Sequence, residues 1–403
     1  MSPAQVVVCH PNSRIPERRY ILDTILGCFL GLEYESVAEA RDDTSISVVG
    51  CESDDQLVVR DVLLQTTDDR WLSTGSLPSL PLRTWHVSDC LCEARVVSRR
   101  IPVIYGQVLA DGTFLQRNDQ GIMLGLDVFG SAFFMLTRYE EVAKAVRDSH
   151  DRFPASQSLA YEEGFLDRPI IDEYVEILWS CMKRLWPGLR RRKWQYRLLP
   201  SHDVDHPLAV LNRPWADVLR SSAADVLRRG DIRLSWNRIR ARADSASNNH
   251  DQDPYNTFDF IMDVSEKSGL RSTFYFITDH TGAGHIDGYY SVEMQWIREL
   301  MRRMHSRGHE IGLHGSYNSC SDANQARREF GRLLDAAREE NIDQVEWGSR
   351  QHYLRWVTPI TWRILAETGI GYDSTLAYAD HVGFRCGVCH PFIAYDLVDR
   401  RVL

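Results

Sequence analysis

The chain has 403 residues, too many for one ordinary core, so its length predicts two domains. Hydrophobic residues at 43% and charged residues at 26% are the composition of a folded, soluble protein, and a net charge of −9 excludes nucleic acid as the main partner. The opening residues carry no basic leader and no run approaches the roughly 20 apolar residues that span a bilayer, so a cytoplasmic protein without an integral span is expected.

In chain order, residues 5–9 (Gln-Val-Val-Val-Cys) read as a strand, 17–30 as a helix with apolar residues at helical spacing, and 45–49 as a second strand. Residues 127–147, rich in Phe129, Phe133, Phe134 and Tyr139, predict a helix. A further helix over 171–185 is stopped by Trp186-Pro187-Gly188. The basic run Arg190-Arg191-Arg192-Lys193 reads as a linker. Residues 1–190 are thus an α/β domain of unassigned role. The cysteines, nine in number and scattered, fit reduced thiols better than a disulfide framework.

After the linker, an apolar lead at 196–199 runs into Ser201-His202-Asp203-Val204-Asp205-His206-Pro207. An insertion at about 208–253 follows, with Arg213, Arg220, Arg228, Arg229, Arg233, Arg238, Arg240 and Arg242 beside Trp215 and Trp236. It reads as a solvated helix pair or as a basic amphipathic surface for an anionic membrane or glycolipid. Strands are then expected at 271–277, 309–313, 344–347 and 371–375, with helices at 294–305, 324–340 and 359–368. Such alternation predicts βα units and a parallel sheet or barrel, with ligands at the carboxyl ends of the strands.

Two carboxylates two residues apart on a strand share a face, so Asp203 and Asp205 can divide labour, one holding a cation and the other handling a proton. His314 follows a strand-like run to the same rim, and Asn318 stands four residues on. His309-Glu310 with His314 is one residue too long for the H-E-x-x-H zinc-protease spacing, and His309 points away on a regular strand as a satisfied histidine. Cys386-Gly387-Val388-Cys389-His390 has the spacing of a haem-attachment or zinc-knuckle motif, yet it lacks a second ligand pair and reads as loop packing.

Asp203-Val204-Asp205-His206-Pro207, Ser272-Thr273-Phe274-Tyr275-Phe276, the run from Gly308 to His314, Gly348-Ser349-Arg350 and Tyr372-Asp373-Ser374 occur in the order of the polysaccharide deacetylases, the NodB-like carbohydrate esterases. Residues 196–403 resemble that family, and the first half is similar to an uncharacterised α/β module that precedes such domains in some bacterial proteins. The resemblance implies a distorted (β/α) barrel, one divalent metal ion, zinc first among the choices, and hydrolysis of an N-acetyl group on a sugar. By position, Asp203 resembles the general base, Asp205 and His314 the metal ligands, and Arg350 the residue that orients the base; the roles of Asp203 and Asp205 can be exchanged.

Asn318 stands where the family has a second histidine, and as a harder, weaker donor it would relax the preference for zinc. The family's late general-acid histidine is not recognisable, which leaves His352, two residues after Arg350, or His390 for that role. Tyr353 and Trp356 could stack on a sugar ring. The expected function is a carbohydrate N-deacetylase acting on a surface-polysaccharide or glycolipid precursor. The alternatives are a carbohydrate-binding or scaffolding pseudoenzyme on the same fold, and a hydrolase of non-sugar amides or esters.

Overall fold

The computed structural model describes residues 5–50, 55–87, 93–211, 213–244, 250–251 and 253–403. Residues 1–4, three of the cysteines, and positions 212, 245–249 and 252 of the insertion lie outside the described residues, so the expectations resting on them stand untouched. The chain divides into two compact units, one of Met1–Gln195 with Leu376–Leu403 and one of Tyr196–Thr375. No helix among the described residues is long and apolar enough to cross a membrane.

The first unit opens with β1 (Gln5–Pro11), whose alternation buries Val6 and Val8, then α1 (Ile15–Leu22), which continues as a π-helix over Asp23–Phe29. Strands β2 (Tyr34–Glu39), β3 (Thr44–Val49), β4 (Gln56–Val59), β5 (Arg83–His86), β6 (Arg100–Val103), β7 (Leu115–Asn118) and β8 (Gly121–Leu124) follow. Six of them form a mixed sheet in the order β2-β1-β3-β4-β8-β7, and β5 pairs with β6 as a separate ribbon. Then come α2 (Val128–Leu136), α3 (Tyr139–Ala143), α4 (Leu159–Glu162) and α5 (Ile170–Leu185).

Every residue of α2 is buried, as expected of a helix apolar all round. Its start is fixed by the buried Asp127, which accepts from Gly130 N at 2.7 Å, Val62 N at 2.8 Å and Leu63 N at 3.0 Å. Burial, reinforced by nearby Asp61, pushes the Asp127 carboxyl up to about 7. The single helix expected over 127–147 is broken at Arg138, which turns into the left-handed region at φ 54°. That turn buries its guanidinium against Glu140 and Glu141, each at 2.9 Å.

In the second unit the strands are β9 (Ser201–Val204), β10 (Thr273–Ile277), β11 (Glu310–Gly315), β12 (Gly348–Gln351) and β13 (Tyr372–Asp373). They make one parallel sheet in sequential order, connected through α6 (Trp215–Arg229), α7 (Ile232–Asp244), α8 (Phe258–Lys267), α9 (Gln295–Ser306), α10 (Ala323–Glu339) and α11 (Ile360–Thr368). Phe274, Phe276, Ile277, Ile311 and Leu313 are buried beneath Met301, Met304 and Leu333 of the covering helices, as a parallel sheet requires. A barrel closed on itself is not seen among the described residues; the strands stop at five. The strand expected at 344–347 lies instead at 348–351. Gln344 meets Ile311 through its side-chain amide, which accepts from Ile311 N at 2.7 Å and donates to Ile311 O at 2.8 Å.

The final residues, with the short strands β14 (Tyr395–Asp396) and β15 (Arg401–Val402), pack in the first unit, so the second ends at Thr375 and not at 403 as expected. Arg385 makes a paired contact with the buried Glu141 at 2.9 and 2.7 Å, Arg400 does the same with Glu17 at 2.6 and 2.9 Å, and Tyr395 stacks on Tyr20 at 4.6 Å.

Candidate metal centre

The carboxyl ends of β9, β11 and β12 bring Asp205, His314 and His352 together, with one donor atom of each within 4.8 Å of the others. Asp205 lies just past β9, His314 inside β11, and His352 just past β12. The register sets His314 beside Arg350 and Ile277, so one residue of slip on either side would turn these groups to the opposite face.

Both imidazoles are oriented through Nδ1. His314 Nδ1 donates to Arg350 O at 2.8 Å, and His352 Nδ1 donates to Asp287 Oδ1 at 2.9 Å. That leaves each Nε2 turned toward Asp205 Oδ1, at 3.2 Å from His314 and 3.7 Å from His352. Asp205 Oδ1 and His314 Nε2 are buried without a hydrogen-bond partner. Two imidazole nitrogens and a carboxylate oxygen are the donor set of many catalytic zinc sites, where bonds near 2.1 Å put neighbouring donors about 3.4 Å apart. The residues present therefore fit a divalent ion.

Burial raises the Asp205 carboxyl, but the facing His314 and His352 outweigh it and hold the group well below the usual carboxylate range. Burial lowers His352, yet Asp205 and Asp287 overcome it and lift its pKa to about 9. To accept a metal, His352 must therefore give up a proton. Asp287 is 1% exposed. It accepts from Thr281 N at 2.8 Å, Gly282 N at 2.7 Å and Tyr317 N at 2.8 Å. Burial raises its carboxyl and these donors, with His352, bring it below the ordinary value. Gly288, at φ +85°, lets this loop close on the site, since a Cβ there would stand 2.4 Å from Asp205 O.

Asp203 is set apart from the imidazoles. Arg350 Nη1 donates to it at 2.9 Å and Arg350 Nη2 to Ser201 Oγ at 2.7 Å, while the guanidinium lies 4.9 Å from the Tyr275 ring. Gly312 makes this support fit: its Cβ would stand 2.5 Å from that ring. A sequence-expected division thus has a geometric counterpart, Asp205 against imidazoles and Asp203 against a guanidinium.

Two expectations change. The Asn318 carboxamide is taken up by other partners. Its Nδ2 donates to Thr281 O at 2.7 Å, its N donates to Thr281 Oγ1 at 3.0 Å, and its Oδ1 accepts from Arg355 at 3.1 Å. It braces Thr281, which in turn holds Asp287. His352, expected as a general acid, stands instead in the Asp205–His314 cluster as a candidate third donor, because β12 ends one residue before it and Asp287 anchors its ring.

Among the other candidates, His390 stacks on Trp194 at 4.5 Å within the first unit, and Cys389 N in the same loop donates to Asp172 at 2.8 Å. His309 is satisfied, accepting from Ser272 N at 3.0 Å and lying 3.2 Å from Glu266. Trp356 is core, packed on Trp362 at 4.8 Å, whereas Tyr353 is 37% exposed beside His352. Asp287 was missed by sequence reasoning; an Asp-Gly pair in a loop reads only as a turn.

Residues 240–385 match the polysaccharide deacetylase family, and residues 6–187 match a family of unknown function, DUF7033. The matched span holds His314, Arg350 and His352 but begins after β9, so Asp203 and Asp205 are placed by the fold alone. A Mycobacterium smegmatis protein described as a polysaccharide deacetylase is similar at 21% identity and TM-score 0.27, over 45% of this chain and 52% of that one. The chitin deacetylase of Colletotrichum lindemuthianum is similar at 18% identity and TM-score 0.22, over 30% of this chain and 50% of that one. The chain spans about half the length of these structures. No curated protein matches.

Proposed function

We propose, from the match of residues 240–385 to the polysaccharide deacetylases, that this protein is a metal-dependent hydrolase that removes an N-acetyl group from a sugar. The observation that carries the reading is the cluster of Asp205, His314 and His352, with Asp205 Oδ1 and His314 Nε2 buried and without a hydrogen-bond partner, beside an Asp203 held by Arg350. Asp205, His314 and His352 would hold the ion, which when bound supplies Lewis acidity toward water and the amide carbonyl.

The remaining work falls to side chains. Arg350 keeps Asp203 aimed, so its carboxylate takes the proton as water adds to the carbonyl carbon. The C–N bond then breaks, and the same proton passes to the departing nitrogen, giving acetate and an amino sugar. Tyr353 at the rim offers a ring face to the substrate. A cytoplasmic precursor of a surface polysaccharide or glycolipid is the substrate class that fits best. The pseudoenzyme reading drew on Asn318 as a degraded ligand and on the missing late general-acid histidine; a donor set of Asp205, His314 and His352 does not need Asn318 and so takes away the first of these grounds.

Elemental analysis of wild type beside Asp205→Ala, His314→Ala, His352→Ala and Asn318→Ala, with acetate release from N-acetylated sugars on the same samples, tests the reading. Near-stoichiometric metal in wild type and Asn318→Ala, lost from the other three together with acetate release, is the expected result. A folded, metal-free and inactive wild type would overturn it.

A further inference from the structure

The helical hairpin of α6 and α7 takes no part in the metal centre. Its seam buries Val218, Ser222 and Asp225 against Ser235, Arg238 and Ala241, tied by Arg238 Nε to Asp225 at 3.0 Å. Beyond the seam, Trp215, Leu219 and Val226 fall on one stripe of α6, and Ile232 and Trp236 on one stripe of α7. They are 39 to 72% exposed, and Leu227 at the turn is 84% exposed. So many large apolar side chains on one short hairpin are a patch, not scatter.

The charge around them is one-sided. Residues 213–242 contain eight arginines against three aspartates, with no lysine or glutamate, in a chain of net charge −9. Arg228 and Arg233 flank the exposed turn and have no carboxylate partner among the described residues. Arginines around exposed tryptophan and aliphatic groups match a surface that is anionic outside and apolar just beneath. A nucleic acid or an acidic protein would meet the charge but leave Leu227, Ile232 and Trp236 in water.

We propose that this hairpin docks the protein on an anionic lipid surface. The guanidinium groups would bind headgroup phosphates, and the apolar stripes would enter the headgroup boundary. The hairpin's base adjoins the metal centre: Arg213 lies 5.6 Å from the Tyr289 ring, and that ring lies 6.3 Å from His206, the neighbour of Asp205. A sugar carried on a membrane lipid is therefore the substrate class that docking would favour. That consequence rests on the deacetylase reading; the docking itself does not.

Co-sedimentation of the full chain with phosphatidylglycerol vesicles and with phosphatidylcholine vesicles reads the docking without any enzymatic assay. Wild type is expected to bind the anionic vesicles and release in high salt. Arg228→Glu with Arg233→Glu should weaken partition at least about tenfold, Trp236→Ala with Leu227→Ala should also weaken it, and Arg228→Lys with Arg233→Lys should retain it. Equal binding to both vesicle types, no binding, or indifference to charge reversal would overturn the proposal. So would retention of an oligonucleotide by a chain that ignores anionic vesicles, or a self-association that only the hairpin variants abolish.

Discussion

Asp287 shows how far a single carboxylate outside the donor set can reach. It fixes the ring of His352 while three backbone N–H groups fix Asp287 itself. Removing it would free the imidazole and leave those N–H groups buried, and loss of such an outer partner costs about 10- to 100-fold in metal affinity. Asp287→Ala is expected to bind Zn²⁺ within that range more weakly than wild type, by competition against a chromophoric chelator, with Asn318→Ala less affected because it acts one contact further out. Equal affinity for Asp287→Ala and wild type would show that His352 needs no anchor. Asp203, Asp205 and His314 stood out in the sequence because they follow apolar runs to strand ends, whereas Arg350 entered through the family resemblance alone. Asp287 was illegible because an irregular loop places it, and Asn318 was misread because spacing alone cannot tell a donor facing the ion from one turned to Thr281.

At the scale of elements, the parallel sheet of the second unit was legible because buried strands and amphipathic helices alternate there with distinct periods. The first unit was less so: β5, β6 and β7 are short and mixed in polarity, and only their partners make them strands. The shift of β12 by several residues has a local cause, since Gln344 closes the gap to Ile311 with its side chain. Within the sheet, Gly312 is the position where packing and chemistry meet. Gly312→Ala would press a methyl group on the Tyr275 ring and on Gly348 O, 2.8 Å from the built Cβ. Overpacking of this kind costs roughly 1–3 kcal/mol, so calorimetry should show a Tm lowered by several degrees. The same variant should lose acetate release beyond what stability explains, because Tyr275 underlies Arg350. A Tm and activity equal to wild type would mean the ring moves aside at no cost.

At the scale of the whole molecule, the polypeptide leaves the first unit after Gln195, builds the second, and returns at Leu376. The return was illegible because it depends on partners far away in sequence, Glu141 for Arg385 and Glu17 for Arg400, and on Tyr20 for Tyr395. Residues 376–403 read alone as an irregular end. The buried pair of Arg385 with Glu141 matters energetically, since removing one member of such a pair leaves a bare charge and costs about 3–5 kcal/mol.

The second unit is in effect a parenthesis within the first, opened at one peptide and closed at another. A protease cutting only near residue 195 would leave two polypeptides that still migrate as one particle on a native column and separate only in denaturant, because the last 28 residues stay clasped by the first 195. Release of the two after that single cut under native conditions would show the clasp to be weak. If it holds, one nick cannot shed the first unit from the second, and the two would be degraded and delivered together.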